Sequence, residues 1–239
     1  LVDNDRVVGG VDDVSTDVAA EFYRRFVRGE VLTTTARTAE MCKLVENSFR
    51  DVNIAFANEL SLICADMGIN VWDLILLANR HPRVNILTPG PGVGGHCIAV
   101  DPWFIVHTAP ERTQLIQAAR HINDGKSDWV VEQVLAKAER FRAPVVACLG
   151  LAYKPDVDDL RESPALRIHD ALVTALGADQ VLAVEPNLTT TADRPLVSLD
   201  EALERADVVV ALVGHRSFRR VDPELLKAKV VIDTCGVFR

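Results

Sequence analysis

Three hydrophobic rhythms follow one another along this chain. Between Thr38 and Asp66 the apolar residues Leu44, Phe49, Val52, Phe56, Leu60 and Ile63 recur every three or four positions. That spacing lines one face of an α-helix, and it predicts one continuous helix over 38–66 that Gly68 ends. Most globular helices are shorter, so this one is expected to span two domains or to pair with a copy of itself. Glu40, Glu46 and Asp51 read as its exposed charges. A second helix is predicted over Val71–Asn79, followed by a loop rich in Pro and Gly from His81 to Pro102. Helical pattern then resumes from Glu111 to Phe141, with a break expected near Asp124-Gly125.

From Pro144 onward the rhythm changes. Short apolar runs at Val145–Leu149, Val181–Val184, Val208–Val213 and Val230–Ile232 alternate with helix patterns at Pro164–Leu176, Leu199–Arg205 and Pro223–Lys227. Unbroken apolar strands alternating with helices describe a parallel sheet covered on both faces. Ahead of the long helix, Arg6-Val7-Val8, a helix over Thr16–Arg28 closed by Gly29, and the strand Val31–Thr34 make one strand–helix–strand unit. Such a unit is too small for a core of its own and is expected to be the close of a larger domain. The predicted fold class is therefore α/β: a central long-helix dimerisation region followed by a Rossmann-like, doubly wound parallel sheet. The units run 1–35, 36–141 and 142–239.

Composition narrows the function. No run approaches the roughly 18 consecutive apolar residues of a membrane span. The 34 acidic residues outweigh 26 basic ones, giving a net charge of −8, and no basic block offers a footprint for nucleic acid or an anionic membrane. The five cysteines are dispersed and none forms a CxxC pair, so neither a disulfide framework nor a metal site is expected, and a reducing cytoplasm fits.

Chemistry concentrates in three places. The loop Pro89–Asp101 formally contains GxGxxG at Gly90, Gly92 and Gly95. It follows a helical region and carries two prolines beside the first glycine, so it is not the strand-to-helix turn that a dinucleotide fingerprint requires. Its backbone N–H groups remain free to approach a ligand. Cys97 ends that loop, with His96 beside it and Asp101 one helical turn on. A thiol reacts as its thiolate, so a nucleophilic Cys97 needs a positive neighbour. Lys43 and Asn47, at i and i+4 on one face of the long helix, are candidates. Third, Gly150–Pro164 leaves a buried strand and enters a helix with Ser163 as N-cap and Pro164 at the first position. It carries Tyr153, Lys154 and Arg161, suited to stacking on a base and to holding phosphate.

These segments, Glu40–Asn47, Gly92–Asp101 and Tyr153–Pro164, resemble the UDP-glucose/GDP-mannose dehydrogenase family. The resemblance implies an NAD-dependent, four-electron oxidation of a nucleotide sugar, CH2OH to carboxylate, and the stretches 37–77 and 78–105 point to UDP-N-acetyl-D-mannosamine as the UDP-sugar substrate. It makes Cys97 the nucleophile that forms a thiohemiacetal and then a thioester. Lys43 and Asn47 would stabilise the oxyanion, and Asp101 would position or activate water. Arg83, Asn85, Gly92, Gly94, Gly95, Tyr153 and Lys154 would bind the substrate, Arg83 reaching across a homodimer built on the 38–66 helix, and Arg161 would face the NAD cofactor or phosphate. The family's glycine fingerprint for NAD is missing, so the chain alone is expected to be inactive. Two other readings stay open: a dehydrogenase of another UDP-N-acetylhexosamine or UDP-hexose, and a truncated nucleotide-sugar-binding or dimerisation module.

Overall fold

The computed structural model describes residues 2–191 and 194–239, so Leu1 of the 1–35 unit and Ala192 and Asp193 of the 142–239 unit lie outside it. Strands β1 (Arg6–Gly10) and β2 (Val31–Thr35) pair in parallel and are joined by helix α1 (Asp13–Arg24). The helix starts three residues earlier than its apolar pattern suggested. Asp12 caps it, its carboxylate accepting from the Ser15 N–H at 2.7 Å, which satisfies an otherwise orphaned donor of the first turn.

Helix α2 (Ala36–Met67) begins at the cap Thr35 and ends at Gly68, whose φ of +67° is the left-handed conformation that closes helices. Its amphipathicity is inverted. The apolar stripe seen in the sequence points away from the chain: Phe49 is 69% exposed, Phe56 50% and Ile63 47%. The face turned inward carries Asn47, Ser48, Asp51 and Asn58, all buried. Asp51, expected to be an exposed charge, is fully buried. Its carboxylate accepts from the Arg120 guanidinium at 2.7 Å. Periodicity located the two faces of α2 but not which of them meets the protein.

Helix α3 (Val71–Ala78) is capped by Asn70. Helix α4 (Asp101–Thr108) rises inside what the sequence suggested was loop and linker, with Pro102 in its first turn, where a missing N–H costs nothing. Helix α5 (Gln114–Ala138) runs unbroken through Gly125. The expected break is absent because an isolated helical glycine costs only about 1 kcal/mol, less than packing returns. The first half of α5 meets α2 through Arg120 and Asn123; the second half sends Val130 and Val134 into the core of the C-terminal sheet.

That sheet holds β3 (Val146–Leu149), β4 (Val181–Val184), β5 (Val208–Ala211) and β6 (Val230–Asp233), all parallel, in the order β4-β3-β5-β6. Successive strand residues face opposite sides. Val146 and Cys148 pack against α5 and α6 (Pro164–Leu176), while Ala147 and Leu149 face α7 (Leu199–Arg205) and Phe218. Both faces are therefore apolar, as the unbroken runs predicted, and the sheet is doubly wound. Pro223–Leu226 is a 3-10 turn rather than the expected helix. The connection leaving β3 runs to β4 and the one leaving β5 runs to β6, in opposite directions along the sheet, so the carboxyl ends of β3 and β5 form the switch point where such folds take ligands. Among the described residues, no helix is long and apolar enough to cross a membrane.

Candidate active site

The loop Pro89–Cys97 lies between the two halves of the molecule, and its glycines explain how closely it fits. A Cβ on Gly94 would stand 2.5 Å from the Glu162 carbonyl oxygen and 2.6 Å from Cδ of Pro164. Gly95, at φ +82°, lies under the Tyr153 ring, where a Cβ would stand 2.9 Å from Cε2. Gly92 borders Pro164 and Ser127. The space around Gly94 and Gly95 is thus filled by the segment that follows β3, and the loop seats Cys97 against that segment.

Cys97 is half-buried. Its carbonyl accepts from the N–H groups of Val100 at 3.0 Å and Asp101 at 2.7 Å, a turn that leads into α4. Asp101 projects from the first turn of that helix. Its Oδ2 accepts from Asn47 Nδ2 at 2.5 Å, and Asn47 Oδ1 accepts from Lys43 Nζ at 3.3 Å. Lys43, Asn47 and Asp101 therefore form one hydrogen-bonded line from α2 to the turn that carries Cys97. The Asn47 amide is buried, whereas Lys43 is exposed and also lies 3.9 Å from Glu46. That line brings a cation, an amide donor and a carboxylate to the turn that carries Cys97: groups able to stabilise an oxyanion and to hold a proton or a water.

The other wall is the segment after β3. The Tyr153 N–H donates to the Asp159 carbonyl at 3.0 Å and closes a compact turn. Lys154 Nζ stands 5.3 Å from the Tyr153 ring centroid. Arg161 forks onto the Asp159 carboxylate, with Nη2 to Oδ2 at 2.6 Å and Nε to Oδ1 at 3.0 Å. The Arg161 hydrogen bonds hold Asp159 down at about 2. Asp159 in turn raises Arg161, and the nearby Tyr153 and Cys97 add to that effect. Arg83 and Asn85 lie exposed on the 80–87 loop, and neither side chain hydrogen-bonds to another of these site residues.

Two sets of residues escaped the sequence reading. Glu185 follows β4 directly and is buried. It accepts from the N–H groups of Leu151 and Ala152 at 2.8 and 3.0 Å, and it pairs with the buried His215 at 3.1 Å. Burial pushes its carboxyl up, but the His215 bond and the backbone donors outweigh it and leave Glu185 below its ordinary value. An acid directly after the second strand of a doubly wound sheet was the available signal. The second set, Asn58, Asn123 and Ser127, grips the glycine loop. Polar residues on the buried faces of two helices, Asn58 on α2 and Asn123 and Ser127 on α5, were the signal there.

The Glu185 carboxylate occupies the backbone donors at the end of β3 where a dinucleotide's pyrophosphate would otherwise be held. On this wall the exposed cations that could meet a cofactor or a phosphate are Lys154 and Arg161. Among the described residues no group of three or more His, Cys, Asp or Glu side chains is placed to hold a metal ion.

Two family models match the chain. The central domain of the UDP-glucose/GDP-mannose dehydrogenase family matches residues 37–125, and the UDP binding domain of the same family matches 147–239. Across its whole length the chain is 55% identical to an NDP-N-acetyl-D-galactosaminuronic acid dehydrogenase of Ralstonia nicotianae and 54% identical to the UDP-N-acetyl-D-mannosamine dehydrogenase of Escherichia coli, covering 57% and 60% of those proteins. It is similar in structure to the UDP-N-acetyl-mannosamine dehydrogenase of Staphylococcus aureus (TM-score 0.86, 42% identity, 99% of this chain and 56% of that one). It is likewise similar to the UDP-D-ManNAc dehydrogenase of Pyrococcus horikoshii (TM-score 0.89, 39% identity, 100% of this chain and 57% of that one). The chain thus spans a little over half the length of the relatives it matches.

Proposed function

The chain belongs to the UDP-glucose/GDP-mannose dehydrogenase family, and from that premise we propose that it supplies the thiol and the UDP-binding wall of an enzyme that oxidises UDP-N-acetyl-D-mannosamine at C6 to the uronate. The observation that carries the reading is the line Lys43–Asn47–Asp101 ending at the turn of Cys97, whose glycine loop packs against Tyr153 and Glu162. A bound NAD would supply the hydride acceptance of both oxidations, C6 alcohol to aldehyde and thiohemiacetal to thioester. The residues of this chain do the rest. Cys97 Sγ adds to the C6 aldehyde and retains it as a thiohemiacetal. Lys43 and Asn47 stabilise the charge that develops on its oxygen. After the second oxidation leaves a thioester, Asp101 positions the water that hydrolyses it and takes that water's proton. Gly92, Gly94 and Gly95 shape the edge of the UDP site, and Tyr153 and Lys154 bind its base and phosphates.

The exposed stripe Val45, Phe49, Phe56 and Ile63 supports a homodimer seamed along α2, with the exposed Arg83 reaching the partner's substrate and Asn85 binding substrate. A galacto-configured UDP-N-acetylhexosamine is the second reading, favoured by the 55% identical relative. The test compares kcat/KM of the complete gene product on the manno, galacto and gluco UDP-N-acetylhexosamines and on UDP-glucose. Preference for the manno sugar is expected; preference for the galacto sugar would replace the substrate and keep the mechanism. Turnover of none would overturn the reading.

A further inference from the structure

We propose that Asn58 is a positioning residue for the thiol. With Ser127 it pins the entrance of the glycine loop and so sets where Cys97 stands, although it touches neither Cys97 nor the Lys43–Asn47–Asp101 line. This deepens the reading of Cys97 as nucleophile and rests on it.

Asn58 is fully buried, and its amide is used at both ends. Oδ1 accepts from the Gly90 N–H at 2.8 Å, and Nδ2 donates to Asn123 Oδ1 at 2.9 Å. The amide cannot be reversed, since that would set its NH2 against the Gly90 donor. Asn123 passes the constraint on, donating to the Asp51 carboxylate at 2.8 Å and the Asp51 carbonyl at 3.0 Å, and Arg120 closes the network on Asp51. From α5, Ser127 Oγ donates to the Pro91 carbonyl at 2.9 Å. Thus α2 takes the N–H of Gly90 and α5 takes the C=O of Pro91.

Those two anchors fix the position and the rotation of the backbone where the loop begins. Gly94, wedged under the Glu162 carbonyl, fixes it again three residues on. A chain can span at most about 3.5 Å per residue, so Cys97, three residues further, has little slack. The need is backbone satisfaction: this segment has no ladder of its own, and buried N–H and C=O groups must find partners. A leucine at position 58 would fill the seam but leave the Gly90 N–H orphaned.

The test uses the full chain, with Asn58→Ala and the milder Ser127→Ala, and needs no substrate. Two quantities are read: peptide-resolved alkylation of Cys97 relative to Cys42 in the same molecules, and amide hydrogen exchange of 90–97 relative to β3 and β5. The expected result in Asn58→Ala is roughly tenfold faster exchange confined to 90–97, the loss of one buried hydrogen bond. A change of at least about threefold in the Cys97-to-Cys42 ratio should accompany it. Ser127→Ala should shift both in the same direction, by less. An unchanged ratio with a lowered melting temperature, or exchange that rises evenly through α2, α5 and the sheet, would overturn the proposal. If Asn58→Ala does not fold, an unchanged ratio in Ser127→Ala overturns it. Failure of the dehydrogenase reading leaves these quantities unaffected, so the two can fail separately.

Discussion

The seating of the thiol loop against the segment after β3 makes Gly94 the position where a single methyl group should cost most. In Gly94→Ala the new Cβ meets the Glu162 carbonyl oxygen at 2.5 Å and Pro164 Cδ at 2.6 Å, about 1 Å inside an ordinary contact. Neither neighbour yields easily. Both belong to the capped entrance of α6, where Ser163 Oγ donates to the Leu151 carbonyl at 2.6 Å and so ties that entrance to the end of β3. Overpacking of this kind costs typically 1–3 kcal/mol, and the rigid partners argue for the upper half, about 2–3 kcal/mol. For a chain of 239 residues that corresponds to a fall in melting temperature of about 5–10 °C. The matched control lies four residues away in the same loop. A Cβ on Gly90 meets nothing closer than the Gly92 carbonyl oxygen at 3.8 Å, and Gly→Ala at a permissive position gains about 0.4–1 kcal/mol through the unfolded state. Both variants are followed by urea unfolding, read by the fluorescence of Trp72, Trp103 and Trp129. If Gly94→Ala lies within about 0.5 kcal/mol of the parent, or the two variants shift equally, the loop is not clamped as described.

Other outcomes follow from the same structure. Lys126 is buried against the Trp129 ring and its amine donates to Ser61 Oγ at 2.7 Å; burial lowers it to about 8 from 10.5. Between those values the unfolded chain binds the extra proton, so stability should rise with pH from about 8 to about 10.5, by at most roughly 3 kcal/mol. Lys126→Met should stabilise the chain at pH 7 by about 1–3 kcal/mol and flatten that rise in calorimetric scans. Asp159 should titrate at about 2 by NMR, and Arg161→Ala should return it to the ordinary carboxylate range near 3.9. Phe49→Asp with Phe56→Asp should weaken self-association by at least about tenfold in sedimentation equilibrium and leave the melting of the monomer unchanged; a parent chain that stays monomeric at tens of micromolar would remove the basis for the α2 dimer.

The C-terminal sheet was legible because its strands are buried on both sides and read as unbroken apolar runs, a pattern that a surface element does not produce. The length of α2 was legible too, from Leu44 to Ile63. Its orientation was not. The residues that look like a core stripe, Phe49, Phe56 and Ile63, point outward, and Asp51 is buried because Arg120, 69 positions away, neutralises it. No local pattern reports such a partner. Helix α4 was hidden because Pro102 and the preceding glycines read as loop, although proline in a first turn is compatible with a helix. The acid, amide and lysine near Cys97 could be named from spacing and family likeness, while the residues that hold the loop in place, Asn58 and Ser127, are distributed over two helices and become a group only in three dimensions. The glycines illustrate the same point: their density signalled a close approach, but at Gly94 the approaching group is the protein's own Glu162 carbonyl.

The central claim is that Cys97 retains the aldehyde so that one sugar is oxidised twice. The direct measurement is the amount of NADH formed per UDP-N-acetyl-D-mannosamine consumed by the complete gene product, beside its Cys97→Ser variant. Two NADH per uronate, with net turnover lost in the variant, is the expected result. One NADH per sugar with free aldehyde released, or an undiminished yield of uronate from Cys97→Ser, would contradict the account.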